Sequence, residues 1–247
     1  MILRRITKHV REQNWFAVGL DFAIVVTGIL IAFQITNWNE GRGEHRLERQ
    51  YLERLRDDLT RSKLAAIESV YTVQKQVDNR GVMMKALRAC ALDETTRPEF
   101  HEGIRTIGQT QPLSLVRGTL DELHATGRIG LIRNLELRTA INDLLENYED
   151  QAKILAFIVA RFSPQMTYVD QRMVIDLPGG IVTAAKYPVA DISISYDFPV
   201  LCKDTHYVSA ISAIRFAIMV TARNENRRVK QYQKILLLLD KELETNP

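Results

Sequence analysis

The sequence has little cysteine and no clustered charge, and each of these features excludes a class of protein. Its two cysteines, Cys90 and Cys202, form no C-x-x-C pair and are too few for a disulfide-rich scaffold. The 33 basic and 30 acidic residues are intermixed over most of the 247-residue chain. Because a nucleic-acid surface needs a clustered basic face, we predict no nucleic-acid partner. A hydrophobic fraction of 46% excludes global disorder.

Known catalytic and metal-binding patterns are missing as well. There is no Gly-x-Ser-x-Gly, the LPGG at 177–180 lacks a following Lys-Ser/Thr, and the five histidines lack zinc-site spacing. The nearest approach to a ligand cluster is Cys202, Asp204 and His206, which falls short of a closed tetrahedral set. We therefore predict no catalytic residue, no metal and no cofactor, and a protein that is not an enzyme.

One long apolar run is present near the N-terminus. The stretch from Phe16 to Ile35 has no Lys, Arg, Glu or Pro, and Trp15 and Trp38 flank it. About 20 apolar residues in a helix cross a hydrocarbon core, and flanking tryptophans anchor such a helix at the two interfaces. A buried helix of a soluble protein would show a charged face, and a cleaved signal peptide would have a shorter apolar region. The run therefore predicts an uncleaved transmembrane helix at 15–38.

The charges that flank the run favour one topology. Residues 1–14 hold four Lys or Arg, whereas the other flank holds five arginines mixed with acids. Lys and Arg counts nearly tie, but a short basic tail before the first span usually stays inside, and long domains translocate regardless of charge. We expect residues 1–14 in the cytoplasm and residues 39–247 outside it.

One face of the predicted span combines small residues with a carboxyl group. At 100° per residue, a single stripe contains Ala17, Asp21, Gly28, Ala32 and Asn39. Small residues let helices approach closely, and a polar group can hydrogen-bond across the contact. We expect a helix–helix interface, either between copies of this chain or with another membrane protein. In the alternative, Asp21 lies near the headgroups and reaches water.

The residues after the span predict an all-α domain. Residues 44–91 contain no proline and repeat apolar residues at threes and fours, which is typical of an amphipathic helix. Pro98 begins a short helix, Thr119 with Glu122 forms a capping box, and Gly127 ends that helix. Asn134 is expected to cap a second long helix.

The C-terminal part predicts one more long helix and one irregular region. Pro164 is expected to kink or break the second long helix, and a third runs from Thr205 to about Glu244. Between them, 177–204 is an irregular loop in which DISISYDF predicts a short strand. Arg215 is expected to snorkel, and the cluster Arg227-Arg228-Lys230 to be a solvated face.

These elements predict an antiparallel bundle of long helices that follows one membrane helix. Cys90 and Cys202 stand at the end of the first long helix and in the irregular loop. A disulfide between them is permitted outside the cytoplasm, although sequence alone leaves the pairing open.

Two stretches, GILIAFQITNWNE (Gly28–Glu40) and LDELHATGRIGLIRNLELRTAI (Leu120–Ile141), resemble a family of uncharacterised bacterial single-pass membrane proteins. That family, a domain of unknown function, begins with a basic tail and a span ending in Gln-x-x-Asn-Trp-Asn-Glu. Here Asp21 replaces an expected glutamate, and His124-Ala125 replaces a more serine-like pair. The resemblance implies a bacterial inner-membrane protein with a periplasmic domain, and it carries no catalytic residue.

Two functions are consistent with this sequence. The first is a non-enzymatic interaction or accessory subunit of a membrane assembly, with the lipid bilayer and either a second copy or another membrane protein as partners. The alternative is a periplasmic ligand sensor with a pocket near the irregular loop. Such a sensor would need a partner protein for its output, because only about fourteen residues stand on the cytoplasmic side.

Overall fold

The computed structural model describes residues 15–176 and 193–245, except for the side chains of residues 15–18 and Asp21. Its helices are α1 (Trp15–Ala89), α2 (Arg97–Arg105), α3 (Gly118–Ala125), α4 (Leu135–Asp170), α5 (Phe198–Leu201) and α6 (Thr205–Thr245). A 3-10 turn spans Arg128–Leu131, and strands β1 (Val174–Asp176) and β2 (Ser193–Ser195) pair antiparallel. These elements confirm the predicted all-α fold class and the short strand.

The chain divides into two units, Met1–Tyr51 and Leu52–Pro247. The described part of the first unit is the N-terminal half of α1, which is helical from Trp15 onward. The second unit contains the rest of α1, all the other elements, and the hydrophobic core clusters.

In the second unit, each long helix repeats its inward-facing residues at alternating spacings of three and four, which is the heptad pattern of coiled coils. We call these positions the heptad seam. The α1 seam is buried throughout and consists of Leu52, Leu55, Leu59, Ser62, Ala66, Ser69, Val73, Gln76, Arg80, Met83 and Leu87. The α6 seam consists of Tyr207, Ile211, Ile214, Ile218, Thr221, Glu225, Arg228, Tyr232, Ile235, Leu239 and Glu242. The α4 seam, buried at both ends and half-buried between them, consists of Leu137, Ile141, Leu144, Tyr148, Gln151, Leu155, Ile158, Phe162, Gln165 and Val169.

Contacts at both ends of α6 show that it runs antiparallel to its two long neighbours. Arg56 Nε of α1 donates to Asp240 Oδ1 at 2.5 Å, and Asn134 Nδ2 before α4 donates to Glu242 Oε2 at 2.6 Å. At the opposite end, Tyr207 shares one buried cluster with residues near the ends of α1 and α4. The predicted antiparallel bundle is therefore confirmed.

Most of the predicted helix boundaries are confirmed. Pro98 lies in the first turn of α2, and the Asn134 side chain accepts a hydrogen bond from the Leu137 N–H at 3.0 Å. Gly127, with φ of +67°, follows α3 in the left-handed conformation that a glycine favours. Of the kink or break expected at Pro164, the break is wrong, because α4 continues to Asp170, and the kink stays a prediction.

The predicted capping box at Thr119 is wrong. Helix α3 begins one residue earlier, at Gly118, and the Thr119 hydroxyl donates to Asp58 Oδ2 of α1 at 2.7 Å. The buried Asp58 carboxylate also accepts from the Thr119 N–H, because a charge out of water needs donors. Glu122 instead pairs with Arg54 at 2.6 Å.

The bundle end that contains Tyr207 holds a large apolar cluster. Met83, Leu87, Phe100, Ile104 and Ile211 are all at most 1% exposed there. Helix α2 packs closely onto α1 at Gly103, where a Cβ atom would lie 2.8 Å from Met83 Cγ and still closer to its sulfur. A residue larger than glycine therefore has no room at this contact.

Candidate functional site

Ten large apolar side chains of α1 are exposed in the first unit. They are Leu20, Phe22, Ile24, Val25, Ile29, Leu30, Ile31, Phe33, Ile35 and Trp38, and their exposed fractions run from 51% to 70%. Among the described residues, two helices are long and apolar enough to cross a membrane by length and composition. The apolar window of α1 has a mean hydropathy of 1.5 and is not buried at all, whereas that of α6 has 1.2 and is 39% buried. The apolar residues in the α6 window are therefore partly buried in the core of the bundle, whereas those in the α1 window are exposed.

The predicted interface stripe lies along this part of α1, but only three of its side chains are described. Gly28, Ala32 and Asn39 are exposed, and no neighbouring side chain lies within 4 Å of the position of a Cβ atom at Gly28. The side chains of Ala17 and Asp21, and that of the predicted anchor Trp15, lie outside the described residues. The interface therefore stays a prediction.

The other predicted anchor, Trp38, is described and exposed. The residue is 64% exposed, and the Arg42 guanidinium lies 4.9 Å from the ring centroid. A cation over the face of an aromatic ring is attracted to it. The anchoring role of Trp38 stays a prediction.

Polar side chains interrupt the heptad seams at the middle of the bundle, and we call this region the polar layer. It contains Ser69 and Gln76 of α1, Gln151 of α4, and Glu225 and Arg228 of α6. Glu225 and Arg228 are 1% and 2% exposed and contact each other as an ion pair. Within the described part, Glu225 Oε2 and Arg228 Nε and Nη1 have no hydrogen-bond partner.

The expectation that Arg227, Arg228 and Lys230 form one solvated face is wrong for Arg228. Arg227 and Lys230 are exposed, but Arg228 lies on the seam, seven residues after Thr221. Its burial lowers the pKa of its guanidinium. The heptad count from Tyr207 could have found it in the sequence.

A cavity of about 20 Å³ adjoins this ion pair between α4 and α6. Gln151, Leu155 and Ile158 line it from α4, and Glu225 and Arg228 line it from α6. A volume of roughly 10–15 Å³ holds one water molecule, which needs two or more polar partners. The cavity therefore has room and donors for water, and it does not have room for a substrate.

A second buried guanidinium, Arg80, connects α1 to α2. Arg80 is 1% exposed, its Nη2 donates to the Thr106 carbonyl at 2.7 Å, and burial lowers its pKa to about 10. Thr106 ends α2, so the cation lies where a helix terminus carries partial negative charge. Nearby, Arg215 of α6 lies over Gly81, with Nη2 3.6 Å from the position of a Cβ atom there.

At the end of the bundle, Cys90 and Cys202 form a disulfide with their Cα atoms 5.1 Å apart. Asp204 follows and accepts hydrogen bonds from the Tyr207 N–H at 3.0 Å, Arg172 Nε at 2.7 Å and the Tyr168 hydroxyl at 2.9 Å. Burial raises the pKa of Asp204, but these donors outweigh it and lower the pKa to about 2.

The residues Cys202, Asp204 and His206 do not converge on one point. The Cys202 sulfur is in the disulfide, the Asp204 carboxylate caps α6, and the His206 ring stacks on Tyr168 with the centroids 4.1 Å apart. Their described contacts hold the start of α6 against the end of α4. They are structural, and they do not form a ligand set.

An open cavity of about 1,380 Å³ lies beside this cluster. Its lining includes Arg97, His101, Arg172, Tyr196 and Phe198. Ligand pockets usually measure about 300–1,000 Å³, so this one is large enough for a small organic molecule. Part of its lining, 194–201, belongs to the region where the sequence places a sensor pocket, and residues 177–192 of that region lie outside the described residues.

The chain is thus a helical protein with a long exposed apolar helix segment and a heptad-packed bundle that encloses a polar layer. Residues 21–154, more than half of the chain, match the model of DUF6090, a family of unknown function. The protein belongs to this family, and the match includes both stretches that carry the resemblance. Neither the curated proteins nor the solved structures contain a match.

Proposed function

We propose that the protein is anchored in a membrane by residues 15–38 and acts as a non-enzymatic interaction or accessory subunit of a membrane assembly. The observation that carries the proposal is the exposure of ten large apolar side chains between Leu20 and Trp38. Fully burying one such side chain is worth about 1.5–3 kcal/mol, and because these ten are 51–70% exposed, moving them all into lipid would gain on the order of 10–20 kcal/mol. That gain is comparable to the whole net stability of a typical domain, about 5–15 kcal/mol, and a lipid bilayer supplies it.

The proposed topology places the basic tail 1–14 in the bacterial cytoplasm and the bundle in the periplasm. The pairing of Cys90 with Cys202 supports it, because disulfides persist outside the cytoplasm and are rare within it. Alkaline phosphatase fused to the C-terminus is expected to be active in cells, and a cytoplasmic reporter fused there is expected to be inactive. The opposite pattern would reverse the topology.

The buried charges of the polar layer support a role inside the bundle and not at a substrate site. Its most buried charged groups, Glu225 and Arg228, adjoin a cavity of only about 20 Å³, which no substrate-sized molecule can enter. Exposed Phe157, Phe216 and Met219 give the bundle apolar contact surface of the kind that partners cover. A reproducible hydrolase or transferase activity of the purified chain would overturn the non-enzymatic part of the proposal.

A ligand sensor is the second candidate, and the open cavity of about 1,380 Å³ favours it. Two arginines and two aromatic rings in its lining suit an aromatic carboxylate. Phenylacetate is expected to raise the melting temperature of the wild-type chain and not that of a Phe198→Ala variant. An equal shift in both chains would place binding elsewhere and remove this candidate.

A further inference from the structure

An acidic stripe runs along the exposed surface of α4. It consists of Glu136, Asp143, Glu146 and Asp150, all exposed and all within about 80° of one another around the helix. Two exposed apolar residues, Ile154 and Phe157, continue the same face toward the C-terminus. Asp150 pairs with Lys153 of its own helix at 3.0 Å.

A basic stripe runs along α6, on the face opposite its heptad seam. It consists of Arg223, Arg227, Lys230, Lys234 and Lys241, all exposed and within about 60° of one another. Here too two exposed apolar residues, Met219 and Phe216, continue the face, this time toward the N-terminus. In the part of the chain that the structure describes, none of the five cations forms an ion pair.

The two stripes lie at the same height of the bundle. Helices α4 and α6 are antiparallel, with Asn134 bonded to Glu242 at one end and Val169 clustered with Tyr207 at the other. Both helices rise equally per residue. A step of one residue toward the C-terminus of α4 therefore reaches the same height as a step of one residue toward the N-terminus of α6.

The conversion places acidic residues of α4 at the heights of basic residues of α6. Asp150 lies at the height of Asn226, between Arg223 and Arg227, and Asp143 lies at the height of Gln233, between Lys230 and Lys234. The apolar continuations match as well, since Phe157 lies at the height of Met219.

We propose that copies of this chain associate side by side, with the acidic stripe of one copy against the basic stripe of the next. Both copies point the same way, so α4 of one runs antiparallel to α6 of the other and acids meet bases at equal height. The exposed apolar residues then meet beside the charged contact, toward the bundle end that contains Tyr207. This part of the interface excludes water. Complementary charge at matched positions fixes register as well as partner.

This inference rests on the proposed membrane anchor in one respect. A span at residues 15–38 in each copy would confine all the bundles to the same side of one bilayer. Copies confined in this way meet more often than copies in free solution. If the basic stripe instead binds an acidic segment of a different protein, purified copies of this chain would not associate, and the experiment below tests this.

The test uses energy transfer between differently labelled full-length chains in vesicles of neutral phosphatidylcholine. One variant reverses the basic stripe (Arg227→Glu with Lys230→Glu), and the other reverses the acidic stripe (Asp143→Lys with Glu146→Lys). All four residues are exposed, so the fold is retained, and circular dichroism checks it. Each variant alone is expected to self-associate about tenfold more weakly, because several surface pairs turn from attractive to repulsive.

Mixing the two variants is expected to restore association, because the unchanged acidic stripe of one variant then faces the unchanged basic stripe of the other. A chain that carries both reversals is expected to associate again by itself. The control, Lys85→Glu with Arg88→Glu, makes the same charge change on exposed residues of α1 and should leave association unchanged.

Energy transfer that is unchanged in the single-stripe variants, or that is not recovered in the mixture, would overturn the inference. Energy transfer that is absent even for the wild-type chain would overturn it as well and would indicate a different acidic partner. Flotation of the same samples with vesicles reports on the anchor alone, so loss of flotation contradicts the proposed function and not the stripes. Raising salt from 0.15 to 1 M shortens the screening length from about 8 to about 3 Å and should weaken wild-type association.

Discussion

The ion pair in the polar layer makes a sharp prediction about stability. Glu225 and Arg228 are at most 2% exposed, yet Glu225 Oε2 and Arg228 Nε and Nη1 have no partner in the described part. Each unsatisfied buried polar atom costs about 1–3 kcal/mol. The three together therefore cost roughly 3–9 kcal/mol, which the attraction within the pair has to offset.

Replacing both residues with leucine is expected to stabilise the bundle by about 1–4 kcal/mol, because the seam becomes apolar at both positions. Replacing only one leaves a buried charge without its counter-charge and is expected to cost about 3–5 kcal/mol. For a domain of this size, each kcal/mol shifts the melting temperature by about 2–4 °C. The double variant should therefore melt several degrees above the wild type, and each single variant well below it.

The measurement is thermal and urea unfolding of the full chain in detergent, followed by circular dichroism at low protein concentration. Arg227→Leu is the matched control, since Arg227 is exposed and lies next to Arg228 on the same helix. Its effect should stay within about 0.5 kcal/mol.

A double variant that loses as much stability as the two single variants combined would refute the reasoning. That outcome would mean that the buried groups are fully satisfied, for example by water in the adjoining cavity. The position of a polar residue on the heptad seam would then not predict how much it destabilises the bundle.

Three further predictions follow from the end of the bundle. Reduction, or a Cys202→Ser substitution, releases a cross-link between positions 112 residues apart and should lower the free energy of unfolding by about 2–5 kcal/mol, measured by urea melts with thiol alkylation as the check. Gly103→Ala should cost about 1–3 kcal/mol in the same melts, because the new methyl group meets Met83. The pKa of Asp204 is about 2 in the fold, below its ordinary 3.8, so its stabilising contribution is present above pH 3.8 and lost as the pH falls toward 2. Asp204→Asn should remove that part of the pH dependence, and melting temperatures between pH 2 and 5 test it.

The long helices and their ends were predictable because their causes are local. Repeats at threes and fours, Pro98 in a first turn, and the Asn134 cap each act within a few residues of the chain. The antiparallel arrangement also follows, since three long amphipathic helices in one domain have few ways to cover their apolar faces.

What the sequence did not reveal depends on distant partners. Thr119 looks like a helix cap, but Asp58, 61 residues earlier, takes both its N–H and its hydroxyl. Arg228 looks like part of a charged surface, because it stands beside Arg227 and Lys230. Only the heptad count, carried through consecutive polar residues, separates it from them. The open cavity combines three separate stretches of chain, and no local pattern predicts that.

The shared seam limits how a chain of this architecture can change in length. An insertion of one residue in a long helix rotates everything beyond it by about 100° and turns its seam toward solvent. An insertion of seven keeps the face but adds about 10.5 Å, which must be matched in the two neighbouring helices or left uncovered. Related bundles should therefore differ in height by whole heptads, and in α1, α4 and α6 together.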